Sequence, residues 1–439
     1  MRTVTTTVAA GAGFAGDRIE PAVALAASGE VQCIALECLA ERTVVQGLRE
    51  RREDPERGYD RRLVRRLRPL LPAALGRCRI VTNLGSANPT AAAEGIARLA
   101  RELGIDGLRV AAVVGDDVRE HTDEIRWLGS VAEAEWLGIH AYLGLGPIAE
   151  ALERGADVVV TGRVADAALF AAPVRASLDE SDDALAGALA VGHLLECAGQ
   201  VTGGNFDPPR RRPLSAAELA DLGYPLAAVA HDGSAEITKL SRLPGWVDRL
   251  TCTLQLLYEV HDPSRYLTPD AIVDFSGVVF EQLAPNRVRM SGARHVGVPG
   301  DLKVSGFQLL PGAVADVEIG YAGAGALERA HRAAEVLRLR LERLGITEYL
   351  VDVVGENALL GPLARPARGS LREARAHVSA ACDDMEMAQA VEDEVYALTL
   401  SGPAGGAGLR AEKRPRVMVV DGLLAREQVS PELVWESPC

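Results

Sequence analysis

The sequence predicts an α/β protein: an N-terminal domain built on a parallel, doubly wound sheet, followed by an α+β domain with antiparallel strands. Strand-like and helix-like segments alternate through the first 200 residues, which is typical of βαβ units. The strand-like segments there are continuous apolar runs, as expected when helices cover both faces of a sheet. A (β/α) barrel is the alternative, because the pattern does not reveal closure. We therefore expect an α/β domain over residues 1–205 and an α+β domain over 206–439.

The N-terminal pattern consists of five short apolar runs with helical segments between them. Asn88 is placed to cap the third helical segment, with Pro89 at its first position. The predicted strands are Thr5–Ala10, Cys33–Cys38, Arg79–Thr82, Arg109–Val114 and Asp157–Thr161. The predicted helices are Ile19–Ser28, Arg61–Leu75, Pro89–Leu103 and Ile148–Arg154.

The C-terminal pattern begins after a polar, proline-rich stretch at residues 205–213 (NFDPPRRRP), which predicts a domain boundary. A long amphipathic helix is expected at 324–344. The glycine-rich loop 401–408 lacks the Gly-Lys-Ser/Thr ending of an NTP-binding loop, and it is either a phosphate cradle or a mobile loop. The predicted strands are Thr251–Val260, Ala271–Phe280, Arg287–Ser291, Leu302–Gly306 and Val314–Tyr321.

The composition limits the partners. The 439 residues contain 47 basic and 61 acidic side chains, a net charge of −14 that argues against nucleic acid. No run approaches the roughly 18 apolar residues of a membrane span. The seven cysteines are scattered and the N-terminus is a poor signal peptide, so we expect a cytoplasmic protein with reduced thiols. Only Lys239, Lys303 and Lys413 are lysines, so an anion site should be built from arginine.

Polar residues and glycines follow all five predicted strands. In open α/β sheets, ligands bind outside the carboxyl ends of the strands, so these loops are the expected binding site. Arg163 either clamps a carboxylate or phosphate in bidentate fashion or pairs with Asp166. Asp116 either joins Asp117 in binding a divalent ion or caps a helix. The candidate substrate-binding residues here are Gly13, Asp17, Arg18, Glu37, Arg42, Asn83, Asn88, Asp116 and Thr161.

The densest polar cluster is GHLLECAGQVTGGNF at residues 192–206. His193 and Glu196 are three residues apart on a predicted helix and share one face. They are a base and an acid, two metal ligands, or part of a helix-capping network. The loop after them should expose backbone amides to a substrate. Its candidate binding residues are Gln200, Thr202, Gly203, Gly204 and Asn205.

We expect His193, Glu196, Arg163 and Asp166 to form one catalytic pocket. The GAGFAG segment at residues 11–16 fits GxGxxG, but the acidic residue expected about 20 positions later is met only loosely by Glu37. No nucleotide cofactor is therefore expected. A divalent metal is the open alternative, and no ligand set is assigned to it. GxSxG and HExxH motifs are absent, which argues against serine-hydrolase and zincin chemistry.

Seven segments together resemble the acyclic terpene utilisation family, the AtuA type. They cover nearly the whole chain, in order: GAGFAGDRIEPAVALA, ALECLAERT, TNLGSANP, GADVVVTGRVADAAL, GHLLECAGQVTGGNF, LLYEVHDPSRYLTPD and SGPAGGAGLR. The resemblance implies a cytoplasmic protein, in some cases encoded beside acyl-CoA carboxylases and dehydrogenases. Longer members carry a further C-terminal domain, which we expect this chain to lack.

The chain departs from the family pattern at two places. Residues 240–246 read LSRLPGW where a Gly-Thr-Gly-Gly turn is expected, and His140 stands where an asparagine precedes Ala-Tyr. If that turn contacts substrate, this member has a different substrate or reduced activity.

The expected function is an enzyme acting on a small carboxylate or acyl-CoA thioester, by hydration, dehydration or lyase-type proton chemistry beside the carbonyl. Hydrolase chemistry ranks next among enzymes. The alternatives are a non-catalytic subunit of an acyl-CoA carboxylase system and a nucleotide- or phosphate-binding module. A homo-oligomer is expected.

Overall fold

The computed structural model describes residues 5–207, 212–365 and 371–436. Residues 208–211 of the predicted boundary stretch and Cys439 lie outside the described residues. Within the described part of the chain, no helix has both the length and the apolar character that crossing a bilayer requires.

The described residues contain both helices and strands. The helices are α1 (Glu20–Ser28), α2 (Glu41–Glu53), α3 (Leu63–Ala74), α4 (Pro89–Glu102), α5 (Gly146–Glu153), α6 (Asp166–Ala171), α7 (Asp182–Glu196), α8 (Ala216–Ala220), α9 (Arg249–Leu256), α10 (Ala326–Arg343) and α11 (Met385–Ser401). The strands are β1 (Thr5–Ala12), β2 (Cys33–Leu36), β3 (Arg79–Thr82), β4 (Val110–Val114), β5 (Arg126–Trp127), β6 (Glu135–Ala141), β7 (Val158–Thr161), β8 (Pro225–Ala230), β9 (Ala235–Lys239), β10 (Tyr266–Leu267), β11 (Ile272–Asp274), β12 (Val279–Ala284), β13 (Arg287–Ser291), β14 (Arg294–Gly297), β15 (Asp301–Ala322), β16 (Tyr349–Val354), β17 (Glu373–Cys382), β18 (Ala407–Ala425) and β19 (Glu432–Glu436).

A large mixed sheet organises the site-bearing part of the chain. Its order is β12-β13-β9-β8-β1-β2-β3-β7-β4-β19. The five central strands, from β1 to β4 in that order, are parallel to their neighbours. The outer pairs are antiparallel. The order has two ends, so the sheet is open and the barrel alternative is not found. The continuous apolar runs of the sequence are the parallel strands, and all of β2 and β7 is buried.

The five predicted N-terminal strands and their helices are confirmed to within a few residues. The capping prediction also holds, because the Asn88 side chain accepts a hydrogen bond from the amide of Ala91 at 3.3 Å. The five parallel strands therefore end in loops at one edge of the sheet.

The predicted strand Thr251–Val260 is wrong, since residues 249–256 form helix α9. The carboxylate of Asp248 accepts hydrogen bonds from the amides of Leu250 and Thr251 at 2.8 and 2.9 Å and so starts a helix. The apolar and β-branched residues of this segment favour a strand, but the N-cap at Asp248 stabilises a helix instead. Two further predictions, Leu302–Gly306 and Val314–Tyr321, lie in the single strand β15.

The chain divides into two compact units, residues 1–130, 137–306 and 419–439 in one and residues 131–136 and 307–418 in the other. The division falls within β6, β15 and β18. The boundary predicted at residues 205/206 stays a prediction, because it concerns which segments fold independently, whereas this division describes packing alone.

The second unit contains β16, β17, most of β15 and the two long helices α10 and α11. Every second residue of β17, from Ala374 to Cys382, is buried in a core that also takes Leu337 and Val395 from the helices. The opposite face of the strands is polar, with His377 lying 3.2 Å from Asp316 and 3.3 Å from Asp352.

Candidate functional site

A cavity of about 550 Å³ lies at the carboxyl ends of the parallel strands, in the first unit. Loops that follow β1, β2 and β7 line it, together with the last turn of α7. Strands β10 and β15, the residue after β6 and the segment after α9 complete the wall. The lining residues are Gly13, Phe14, Glu37, Leu39, Ala40, Glu41, Tyr142, Arg163, Asp166, His193, Glu196, Cys197, Tyr258, Glu259, Tyr266 and Lys303.

Gly13 allows the loop after β1 to reach the end of α7. A Cβ at this position would lie 2.5 Å from the carbonyl carbon of Cys197 and 2.7 Å from the carbonyl oxygen of Glu196. Backbone atoms cannot move aside as a side chain can, so this close approach requires glycine. The sequence thus brings the Glu196 turn against the first strand of the sheet.

His193 and Glu196 form a hydrogen-bonded pair, with Nδ1 of the ring 2.7 Å from Oε1 of the carboxylate. The ring of His193 stacks with that of Phe275 at 5.8 Å and contacts the ring of Tyr266 at 4.8 Å. Its Nε2 is buried and has no hydrogen-bond partner among the described residues. The imidazole is therefore held from three sides, by Glu196, Phe275 and Tyr266, and the backbone of Leu256 also lies close enough to raise its pKa.

The charge of Glu196 decides the protonation of His193. Burial alone would lower the pKa of His193, but the neighbouring carboxylate and its hydrogen bond raise this pKa above the ordinary value. The imidazole therefore retains its proton to a higher pH than a free histidine does.

Two further carboxyl groups, Glu37 and Asp166, lie in the cavity wall. Glu37 accepts hydrogen bonds from the amide of Leu39 at 2.7 Å and from Nδ2 of Asn83 at 3.1 Å. Burial raises the pKa of Glu37 well above its usual range, and the nearby carboxylate of Asp166 adds to this. Burial and the charge of Glu196 raise the pKa of Asp166 to about 7. Asp166 Oδ1 and Glu196 Oε2 are shielded from solvent and unpartnered among the described residues.

Arg163 is the buried cation of the cavity, with 3% of its surface exposed. Its Nη1 donates a long hydrogen bond of 3.4 Å to the carbonyl oxygen of Leu39, while Nε and Nη2 have no partner among the described residues. Burial opposes the charge, but Tyr142 and Asp166 hold the pKa of Arg163 above its ordinary value. Two guanidinium N–H groups are thus available to an anion in the cavity.

The ring of Tyr142 contacts two cations. The guanidinium carbon of Arg163 is 4.6 Å from the centre of its ring, and Nζ of Lys303 is 5.1 Å from the same point. The hydroxyl of Tyr142 donates to Oε1 of Glu41 at 3.4 Å. Lys303 also forms an ion pair with Asp421 at 3.3 Å.

Asp116 supports Arg163 from below the cavity. Its Oδ2 accepts a hydrogen bond from the backbone N–H of Arg163 at 2.8 Å and lies 2.9 Å from Nδ1 of His140. A Cβ on Gly162 would lie 2.5 Å from the same oxygen, so glycine allows the carboxylate to approach. Asp117 faces a different partner, the side chain of Arg119, at 2.7 Å. The two neighbouring aspartates therefore contact different partners.

The structure brings six of the predicted site residues into the cavity wall: Gly13, Glu37, Arg163, Asp166, His193 and Glu196. Asn83 and Asp116 lie directly behind two of these side chains and hold them in place.

The other predicted binding residues do not line the cavity, and most have local partners. Asn88 caps α4, and the Thr161 hydroxyl donates to the Gly162 carbonyl at 3.1 Å. The Arg18 guanidinium donates to the carbonyl of Leu219 at 2.9 Å. The remaining members are Asp17, the exposed Arg42, and the loop residues Gln200, Thr202, Gly203, Gly204 and Asn205.

The loop at residues 202–205 packs on itself and its surroundings. The Thr202 hydroxyl donates to the carbonyl of Gly223 at 2.6 Å, and the Asn205 amide donates to Gln200 at 3.3 Å. Gly203 lies close to the ring of Trp246, to which a Cβ would approach within 3.0 Å.

The GAGFAG loop does not have the features of a dinucleotide site. The amide of Gly13 donates to the carboxylate of Asp17 at 2.6 Å, so an acidic side chain already occupies the donor that a phosphate would need. Helix α1 begins several residues later, with Glu20 in its first turn, where an acidic side chain disfavours an anion.

Several cavity residues are not among the predicted catalytic and binding residues: Tyr142, Tyr266, Lys303, Glu41 and Glu259. Tyr266 lies in the YEVHDPSRYLTPD segment, and Lys303 is one of only three lysines; both facts were visible in the sequence. Glu259 adopts a left-handed backbone conformation with a φ of 59°, a strained state for this residue type that sequence patterns do not reveal.

The described residues contain no group of three or more His, Cys, Asp or Glu side chains placed to hold a metal ion. Cys197 lines the cavity, but burial and the charge of Glu196 raise the pKa of its thiol. This disfavours the thiolate that nucleophilic catalysis needs. The cavity therefore offers an anion-binding guanidinium, an imidazole–carboxylate pair and carboxyl groups with raised pKa values, which together suit proton transfer.

A model of a protein family, described as acyclic terpene utilisation family protein AtuA, matches residues 6–435. None of the curated proteins and none of the solved structures compared with the chain matches it. The match covers nearly the whole length, including every residue of the cavity wall. This chain belongs to the acyclic terpene utilisation (AtuA) family.

Proposed function

We propose that this protein is an enzyme that moves a proton at a carbon atom beside the carbonyl of a small carboxylate or acyl thioester, as in hydration and dehydration. The observation that carries the proposal is the set of unpartnered polar atoms in one cavity wall. Two N–H groups of Arg163, Nε2 of His193 and Oδ1 of Asp166 are buried there without partners among the described residues. Buried polar atoms of a folded protein are normally paired, so such a set favours a ligand.

Arg163 binds the carboxylate or carbonyl oxygen of the substrate. Removal of the neighbouring proton shifts negative charge onto that oxygen, and a fixed guanidinium stabilises this charge more than the charge of the ground state. The Tyr142 ring contacts the guanidinium and the Asp116 carboxylate accepts a hydrogen bond from the backbone N–H, and these two contacts hold Arg163 in position.

Nε2 of His193 accepts the proton from carbon, and Glu196 stabilises the imidazolium that forms. In a dehydration, the carbon–hydrogen electron pair becomes the new double bond and the β-hydroxyl group leaves. Asp166 donates a proton to the leaving hydroxyl, which departs as water. A carboxyl group with a pKa of about 7 is suited to donating a proton at neutral pH and to recovering it afterwards. Hydration follows the same steps in reverse.

Solvent exchange tests the proposal on a whole panel of candidate substrates at once. The full chain would be incubated in D2O with short carboxylates and their CoA thioesters, and deuterium at the α-carbon followed by NMR. We expect exchange with at least one compound, a loss of 100-fold or more in His193→Gln, and normal exchange in His231→Gln, an exposed control. Exchange that survives His193→Gln contradicts the proposal, as does a panel with no exchange. The latter result would favour a non-catalytic subunit.

A further inference from the structure

Arg163, Tyr142 and Lys303 form a row, with each residue on one of three neighbouring backbone segments. The amide of Tyr142 donates to the carbonyl of Lys303 at 2.9 Å, and the amide of Leu143 donates to the carbonyl of Arg163 at 3.3 Å. Leu143 also forms a parallel bridge with Val164. The segment at 142–143 therefore runs between the other two, and Arg163, Tyr142 and Lys303 all line the cavity.

The two cations of this row are close but separate. Both lie around one ring, at 4.6 and 5.1 Å from its centre, so their charges are less than about 10 Å apart, which is within the range that salt leaves only partly screened. Arg163 is buried, whereas the side chain of Lys303 is about half exposed. One cation thus lies inside the cavity and the other towards its mouth.

Apart from its place beside Tyr142, Lys303 has few contacts that fix its side chain. Among the described residues its one ion-pair partner is Asp421, whose side chain is also about half exposed, and such surface pairs contribute little. Burial acts against the charge of Lys303, but the neighbouring Tyr142 and Asp421 raise its pKa above the ordinary value, so it is charged at neutral pH. Its ammonium is available to a second anionic group of a ligand bound at Arg163.

The acidic residues at the same wall limit what that second group can belong to. Glu41 lines the cavity beside Tyr142. Glu259 lines it next to Tyr258 in the chain and is exposed. The several phosphate charges of coenzyme A would meet these carboxylates, whereas a distal carboxylate brings only one negative charge near them.

We propose that the substrate is a short dicarboxylate, with one carboxylate on Arg163 at the reacting end and the other on Lys303. Lys303 is the residue that selects the doubly charged substrate. This inference rests on the proposed function, since it assigns the reacting end to the Arg163 side of the cavity. A substrate with one carboxylate binds Arg163 and makes no contact with Lys303.

The test compares ligands that differ in one charge. Binding of glutarate and of monomethyl glutarate to the full chain would be measured by calorimetry, with succinate and its monomethyl ester as a second pair. For the wild-type protein we expect the diacid to bind about tenfold or more tightly than its monoester, as one charge-assisted contact allows. Lys303→Gln should weaken the diacid to the level of the monoester and leave the monoester unchanged. Lys413→Gln, at a lysine paired with Glu392 elsewhere, is the matched control.

Equal binding of diacid and monoester to the wild-type protein overturns the proposal, as does equal weakening of both ligands in Lys303→Gln or no binding of either. Butyryl-CoA would be measured as a further ligand. If it binds more tightly than the diacids and loses affinity in Lys303→Gln, then Lys303 recognises coenzyme A and the dicarboxylate proposal is overturned. The proposed function fails separately, through the loss or persistence of deuterium exchange in His193→Gln, which does not depend on the charge at residue 303.

Discussion

Nδ1 of His193 lies 2.7 Å from Oε1 of Glu196, one turn further along helix α7. The pair engages Nδ1 of the ring and holds the pKa of His193 above its ordinary value. Replacing the carboxylate by its neutral isostere keeps the shape and removes the charge. Glu196→Gln should therefore lower the pKa of His193, because the effect of burial is then no longer opposed by the charge of the carboxylate.

The Glu196→Gln variant should lose about 100-fold or more in turnover while its melting temperature stays near that of the wild-type protein. The histidine pKa would be read from NMR of protein labelled in its imidazole rings. A His193 pKa that stays raised in the variant would show that the carboxylate does not control the ring.

Asp166 should make the stability of the protein depend on pH. Its pKa is about 7 in the folded protein and near 3.8 in the unfolded chain, so the folded state binds more protons between these values. Stability is then full below pH 3.8 as far as this group is concerned and falls as pH rises to about 7, by up to about 1.4 kcal/mol per pH unit.

Asp166→Asn should remove this dependence, since an amide does not titrate. Urea unfolding at pH 5.5, 6.5 and 7.5 would measure it, and we expect the variant to gain on the wild-type protein as pH rises. Parallel pH profiles for the two proteins would mean that Asp166 is not the group that loses its proton.

Much of the parallel sheet could be predicted because its strands are apolar runs bounded by glycine and polar residues. Thr5–Ala12 and Arg79–Thr82 show this directly, since burial on both faces leaves a signal within the segment itself. The antiparallel pairing that extends the same sheet could not be predicted in this way. The pairing of β8 with β1 joins residues more than 200 positions apart, and nothing local to either strand specifies its neighbour.

The predictable part of the site has a similar origin. Residues directly after parallel strands, such as Glu37 and Arg163, could be predicted because topology alone places them at one edge. Tyr142 and Lys303 come from segments whose place depends on long-range pairing, so the sequence did not reveal them. The loop at 202–205 was misleading because its polar groups bond to one another and to neighbouring backbone, which only the folded chain shows.

Asp116 should contribute to stability through two buried contacts. Asp116→Ala removes the carboxylate that the Arg163 amide and the His140 ring both contact, which should cost about 1–3 kcal/mol of unfolding free energy. Asp117→Ala is the matched control, because its pair with Arg119 is a surface ion pair and should cost about 1 kcal/mol or less. Chemical unfolding of both variants gives the comparison, and equal losses would count against a buried role for Asp116.

Gly13 should tolerate no side chain at all. The methyl group of Gly13→Ala would meet the backbone of Cys197 at 2.5 Å, so either β1 or the end of α7 must shift. Overpacking of this kind typically costs about 1–3 kcal/mol, and the shift would also displace Glu196 and the His193 ring that it orients. Gly146→Ala is the control, since a Cβ there meets no atom within 4 Å. We expect Gly13→Ala to lower both the unfolding free energy and the rate of deuterium exchange, with Gly146→Ala close to the wild-type protein in both. If Gly13→Ala retained full stability and full exchange, then α7 would not need to sit so close to the first strand, and the cavity would not depend on that contact.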